Sequence, residues 1–119
     1  MKLVSSDSSL ENLSIINKSA VVNGNFSSEG SLRVDGIIKG NVTISGNIVL
    51  GNTAEIHGEV KAATITIGGK IFGPVHASGK VILEKNSFLN GDLFANILVV
   101  EEGARFEGKS SMEKNEKKI

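Results

Sequence analysis

Apolar and polar positions alternate with a period of two around six glycines, and one short phrase returns each time. Its copies are Val22-Asn-Gly24-Asn-Phe26, Ile38-Lys-Gly40-Asn-Val42, Ile56-His-Gly58-Glu-Val60, Ile71-Phe-Gly73-Pro-Val75, Leu89-Asn-Gly91-Asp-Leu93 and Phe106-Glu-Gly108-Lys-Ser110. Successive glycines lie 16, 18, 15, 18 and 17 residues apart. Within each phrase the apolar residues and the glycine share one parity, which predicts that they face the same side of an extended strand. The intervening residues, such as Asn23/Asn25, Lys39/Asn41 and Asn90/Asp92, are polar and fit a solvent face.

A second apolar pair follows each of the first five glycines: Leu32/Val34, Ile48/Leu50, Ile65/Ile67, Val81/Leu83 and Ile97/Val99. This assignment leaves Phe72, Phe94, Leu98 and Val100 at outward parity. Between the pairs stand turn-forming clusters such as Ser28-Glu-Gly30, Gly51-Asn-Thr53, Gly68-Gly69 and Glu101-Glu-Gly103. Two or three short strands per repeat of about 17 residues, joined by tight corners, predict an all-β chain coiled as a single-stranded parallel β-helix of about six coils. The general crossover rule favours a right-handed coil. Each coil offers four or five inward aliphatic or aromatic side chains, worth roughly 1.5–3 kcal/mol apiece when fully buried. One coil alone cannot bury them, so stability comes from stacking. An inward glycine in each phrase lets a narrow coil bend, and a Cβ there would crowd it. Pro74 lacks an N–H for the ladder and predicts a local bulge.

The pattern divides the chain into a polar N-terminal tail (1–12), a β-helix domain (13–108) and a charged C-terminal tail (109–119), with both tails expected to be disordered. The 119 residues carry no net formal charge, no cysteine, no tyrosine and no tryptophan. Disulfides, a thiolate nucleophile and Cys-ligated zinc are therefore excluded. With no basic field and no stacking Tyr or Trp, nucleic acid is not an expected partner. The start has no apolar run of signal-peptide length, and Ile97-Leu-Val-Val100 is far short of a membrane span. The expectation is a soluble cytoplasmic protein.

No chemistry-bearing motif interrupts the repeat. His57 and His76 stand at different offsets from their glycines and have no neighbouring ligand, so both are expected as surface histidines and no metal is expected. There is no P-loop and no nucleophile elbow. Catalytic and cofactor-binding residues are not predicted, and the protein is not expected to be an enzyme. A left-handed β-helix acyltransferase would show regular hexapeptides, an extruded loop and a histidine in that context. Thr43-Ile-Ser45 and Thr64-Ile-Thr66 provide only two threonine-bearing coils, too few for an ice-binding array. A monomeric β-helical binding module is the remaining alternative. The ends of the repeat are more telling. Ile15, Ile16, Val21 and Val22 at the first coil and Phe106 at the last have no sequence beyond them that could form an amphipathic cap, and an open β edge needs one. These five residues are the candidate polymerisation interface.

The repeat resembles the bactofilins, small bacterial cytoskeletal proteins, from about Leu13 to Met112. The resemblance is carried by Leu32-Arg-Val-Asp35-Gly36-Ile-Ile-Lys-Gly40-Asn-Val42, by Gly58-Glu-Val60 and by Glu101-Glu-Gly103-Ala104-Arg-Phe106-Glu-Gly108. It implies a right-handed, three-sided β-helix that polymerises without nucleotide into non-polar filaments through its terminal coils. Implied roles are scaffolding of cell shape and localisation of cell-wall enzymes or other envelope proteins. Many family members also bind the inner membrane through an N-terminal segment, for which Met1, Lys2, Leu3 and Val4 are the candidate contact. Asn17 and Lys18 stand where the family often has a glycine turn, so an irregular first coil is expected.

Overall fold

The computed structural model describes residues 13–112, all in short parallel strands and the corners between them. A half-coil, β1 (Leu13–Ile16), opens the stack. Complete coils follow: β2 (Val21–Asn23), β3 (Phe26–Ser28) and β4 (Ser31–Val34), then β5 (Ile37–Lys39), β6 (Val42–Ile44) and β7 (Asn47–Leu50). In the next two coils the second and third strands fuse, giving β8 (Glu55–His57) with β9 (Val60–Ile67), and β10 (Lys70–Phe72) with β11 (Val75–Leu83). The last complete coil is β12 (Phe88–Asn90), β13 (Leu93–Ala95) and β14 (Ile97–Val100), and β15 (Arg105–Glu107) and β16 (Ser110–Met112) close the stack. The architecture is a three-sided parallel β-helix.

Each side is a parallel ladder from coil to coil. The first face stacks β2, β5, β8, β10, β12 and β15, aligning Val22, Ile38, Ile56, Ile71, Leu89 and Phe106 in one column. The second face runs from β3 through β6 and the leading halves of β9 and β11 to β13 and β16, with Val42, Val60, Val75 and Leu93 inward. The third face runs from β1 through β4, β7 and the trailing halves of β9 and β11 to β14. Its inward columns are Leu32–Ile48–Ile65–Val81–Leu98 and Val34–Leu50–Ile67–Leu83–Val100. The core is almost wholly aliphatic, and Ser87 is the one buried polar residue among those described.

Several expectations need correction. The six repeat glycines do not face the core: they form the corner between the first and second faces. Their φ angles run from +121° at Gly24 to +154° at Gly58, a region L-residues rarely adopt. A Cβ on Gly73 would strike the carbonyl of Gly58 one coil earlier, whereas a Cβ on Gly24 would meet nothing within 4 Å. The apolar residues on either side of each glycine therefore point inward from two different faces, and the period of two turns a corner there.

Ile97 and Val99 were expected inward and are outward. They align with Lys80 and Ile82, while Leu98 and Val100 align with Val81 and Leu83. The corner between the second and third faces explains the switch. It is Ser78-Gly79 in one coil but the single residue Asn96 in the next, which donates its backbone N–H to the Gly79 carbonyl at 3.0 Å. Losing one residue inverts the parity of everything after it. In an uninterrupted run of four aliphatic residues the sequence holds no parity signal to reveal that.

Pro74 makes no bulge. The residue after each repeat glycine has its N–H outside the backbone ladder: Asn41 donates to the Asn25 side chain and Glu59 to the Asn41 side chain, each at 3.0 Å. A proline at the equivalent corner forfeits no ladder bond. The irregularity of that coil lies later, between Ala77 and Lys80. The first coil is regular as well. Ala20 N–H donates to the Asn17 carbonyl at 2.9 Å, the same turn that Ala54, Ser87 and Ala104 make at 3.0–3.1 Å. Finally, β16 lies inside the segment assigned to the charged tail, because its backbone pairs with β13 without any apolar signature at Ser110-Ser111.

Candidate assembly surfaces

The two ends of the stack are where the repeat loses its neighbours. At the N-terminal end, Ile16 points inward beneath Val34 and Val22 beneath Ile38. Ile16 is buried, and Val22 and Phe26 are half-buried against the core. At the C-terminal end, Phe106 covers Leu89 and is half-buried, while Val100 stands at the Leu83 register. Leu83 is 0% exposed and Val100 is 52% exposed. Both belong to one inward column, and among the described residues no further strand of the third face follows Val100.

The proposed interface residues therefore separate into two groups. Ile16, Val22 and Phe106 project along the axis-facing columns. Ile15 (58% exposed) and Val21 (50%) lie at outward register, aligned with Arg33 and Ile37, and so sit on the rim of the N-terminal end and not across it. Val100 and Phe26 are end-facing residues that sequence reasoning passed over. The signal for Val100 was the corner length at Asn96; Phe26 was already in the first phrase and lacked only its coil position. Met1, Lys2, Leu3 and Val4, the candidate membrane contact, lie outside the described residues.

Between the ends, the outer surface of the first face carries a stacked ladder. The His57 ring lies on Phe72 with centroids 4.8 Å apart, Phe72 meets Phe88 edge-on at 5.8 Å, and the Arg105 guanidinium covers Phe88 at 5.6 Å. On the second face His76 stacks on Phe94 at 4.6 Å. Each histidine also holds a glutamate, His57 Nε2 to Glu55 at 3.2 Å and His76 Nε2 to Glu59 at 3.1 Å. Same-face registry places these side chains over one another, so Phe72 and Phe94 bury one ring face against a neighbour in the stack. At the corner between the third and first faces lie two open grooves, one lined by Asn17, Asp35 and Asn52 and the other by Asn52, Gly68 and Glu84. Among the described residues, no three His, Asp or Glu side chains converge as a metal site.

Comparison with known proteins decides what this geometry belongs to. A family model described as bactofilin, polymer-forming cytoskeletal, matches residues 14–111. The chain is a member of the bactofilin family. Among solved structures, that of the cytoskeletal bactofilin BacA, determined by solid-state NMR, is similar over 88% of this chain and 100% of its own, with 28% identity and a TM-score of 0.78. No curated protein matches the chain significantly. As a bactofilin, the protein is a cytoskeletal, polymer-forming β-helix, and the family matches the described coils from end to end.

Proposed function

We propose that this bactofilin is a structural protein, not a catalyst, whose subunits add end to end without nucleotide into non-polar filaments. These serve as a cytoplasmic scaffold for bacterial cell shape or for localising cell-envelope enzymes. The observation that carries the proposal is the state of the two end coils. Inward aliphatic and aromatic side chains that are sealed in every interior coil are open at Val100 and half-open at Phe106, Val22 and Phe26. Among the described residues, the outermost strands have a ladder partner on one side only, and none forms a capping helix. A second subunit is a cap of matching shape and spacing, and a polymer-forming family supplies it.

Replacing Phe106 with Arg places a charge on that end surface. The expected outcome is a folded, β-rich subunit by circular dichroism that forms no filaments in negative-stain electron microscopy without nucleotide, under conditions in which the parent is expected to form them. Unchanged filaments would overturn the terminal-coil interface, and a parent that sediments as a concentration-independent monomer would favour a binding module instead. Attachment to the inner membrane through Met1–Val4 belongs to the same proposal. Liposome co-sedimentation that is equal with and without residues 1–12 would remove it.

A further inference from the structure

The N-terminal end of the stack is a step. β1 occupies the third face, and among the described residues β2 and β3 have a ladder partner on one side only, so the lowest coil is built on one of its three sides. β1 aligns with β4 at a constant shift of 18 residues, from Leu13↔Ser31 to Ile16↔Val34. The same shift, carried back along the chain, supplies residues for the other two sides. Val4 falls at Val22, the foot of the inward column through Ile38. Leu10 falls at Ser28, the foot of the column through Ile44. Asn12 falls at Gly30, whose φ is +95°, and asparagine is among the residues that best tolerate that region. Asp7 falls at Asn25. The Asn25 side chain accepts the Asn41 N–H and the Asn41 side chain accepts the Glu59 N–H, each at 3.0 Å. The next acceptor in that series is the side chain at position 7, and it is a carboxylate.

The apolar pattern conceals this coil, and predicts no cap before Ile15, because Ser6 stands where each of the six phrases has glycine. Interior glycines are required by the coil before them: a Cβ on Gly40, Gly58 or Gly73 would strike the carbonyl of the preceding glycine. The first coil of a stack has no such neighbour, and a serine there meets only the strain of a positive φ. At the other end the register does not continue. β16 aligns with β13 at a shift of 17, which puts Asn115 and Lys117 at the inward positions of Leu98 and Val100.

We infer that residues 3–12 fold as a detachable cap that completes this coil over Val22 and Phe26 and excludes a second subunit from the N-terminal end. This rests on the end-to-end assembly proposed above. The occupant follows from where the chain joins the stack. The segment enters β1 at Leu13 with both unfilled sides within its own length, and its tether holds it near that end at a constant effective concentration. Its far surface differs from that of an interior coil. Ser8 replaces Phe26, four of the ten residues are serine, and Asp7 and Glu11 add two carboxylates. That is the polar outer surface of a capping repeat. Val4 and Leu10 give the cap two inward aliphatic side chains, where the equivalent strands of an interior coil give three, Ile38, Val42 and Ile44. The cap is weaker than a full coil, and an incoming subunit displaces it. A capped chain adds through its C-terminal end alone, and in a non-polar filament one such contact makes a pair and goes no further. Lengthening then requires the cap to open. Val4 also belongs to the proposed membrane contact, so the two engagements exclude each other.

The chain has no cysteine, so an introduced disulfide reports the register. Full-length Val4→Cys/Val22→Cys puts two thiols on adjacent strands about 4.8 Å apart, within disulfide reach. In full-length Ser5→Cys/Val22→Cys the first thiol is one residue out of register and points to the opposite side. In dilute oxidising solution the first pair should close within one chain at least about tenfold faster than the second, followed by intact mass. The oxidised Val4→Cys/Val22→Cys chain should stop at pairs in analytical ultracentrifugation, and reduction should restore filaments in negative stain. Val4→Ser/Leu10→Ser, which leaves the described coils untouched, should form filaments at a several-fold lower concentration than the parent. It should also speed amide hydrogen exchange across residues 21–28. Equal closure of the two cysteine pairs, with exchange unchanged in the serine variant, overturns the cap. Filaments from the oxidised chain at the parental concentration overturn the exclusion of a second subunit. A parent and serine variant that both lack filaments, together with register-specific closure, overturn end-to-end assembly and uphold the cap.

Discussion

Interior and terminal coils place apolar side chains at the same register, yet they differ in burial. Leu83 and Val100 occupy one column, as do Leu89 and Phe106. The interior member of each pair is sealed and the terminal member is not. Nothing intrinsic to the side chain produces this. In a stack where each coil touches only its neighbours, burial belongs to position in the series, and the first and last coils are incomplete by construction. A repeat protein of this kind leaves its inward columns open wherever the repeat stops.

The comparison breaks most sharply at the glycine corner. Gly73→Ala should cost about 2–5 kcal/mol, combining positive-φ strain with the overlap on the Gly58 carbonyl. Gly24→Ala meets nothing within 4 Å and should cost only the strain, about 1–2 kcal/mol, in the isolated subunit. Urea denaturation of both variants in the Phe106→Arg background separates subunit stability from assembly. Equal losses would mean that the neighbour's carbonyl is not the cause.

Truncating core side chains comes next. Ile71→Ala, at a fully buried interior site, should lower stability by about 2–5 kcal/mol, and Val100→Ala by less than about 1 kcal/mol in the same background. In the polymerising parent the Val100 variant should instead raise the concentration needed for filaments, read by pelleting. A small effect of opposite sign concerns Ser87, whose buried hydroxyl has no hydrogen-bond partner while the equivalent corners carry Ala20, Ala54 and Ala104. Ser87→Ala should stabilise the subunit by about 1 kcal/mol, seen as a raised melting temperature. A loss would show that the hydroxyl is satisfied in solution.

Much of the fold was legible because stacking repeats one inward pattern. The columns through Ile38, Ile56 and Ile71, and through Ile48, Ile65 and Val81, follow directly from spacing by two. What escaped were features set by corners. Glycine at each phrase looked inward because parity was carried through a bend that parity does not describe. Ile97 and Val99 were misassigned because a one-residue corner at Asn96 has no composition to announce it. Pro74 looked disruptive because the special corner N–H is visible only once Asn25 and Asn41 are seen bonding the next coil. The end surface was half legible: Phe106 and Val22 followed from the repeat, and Val100 needed the corrected parity.

The variation in corner length has one more consequence. Corners absorb one or two residues without disturbing the faces, and no coil contacts beyond its neighbours. A whole period can then be gained or lost in the middle while both ends keep their shape. Each such event would change the subunit's length by about 4.8 Å, one inter-strand step. In the proposed end-to-end filament, the distance between successive attachment points thus becomes a quantity that evolution, or an engineer, can set in fixed increments.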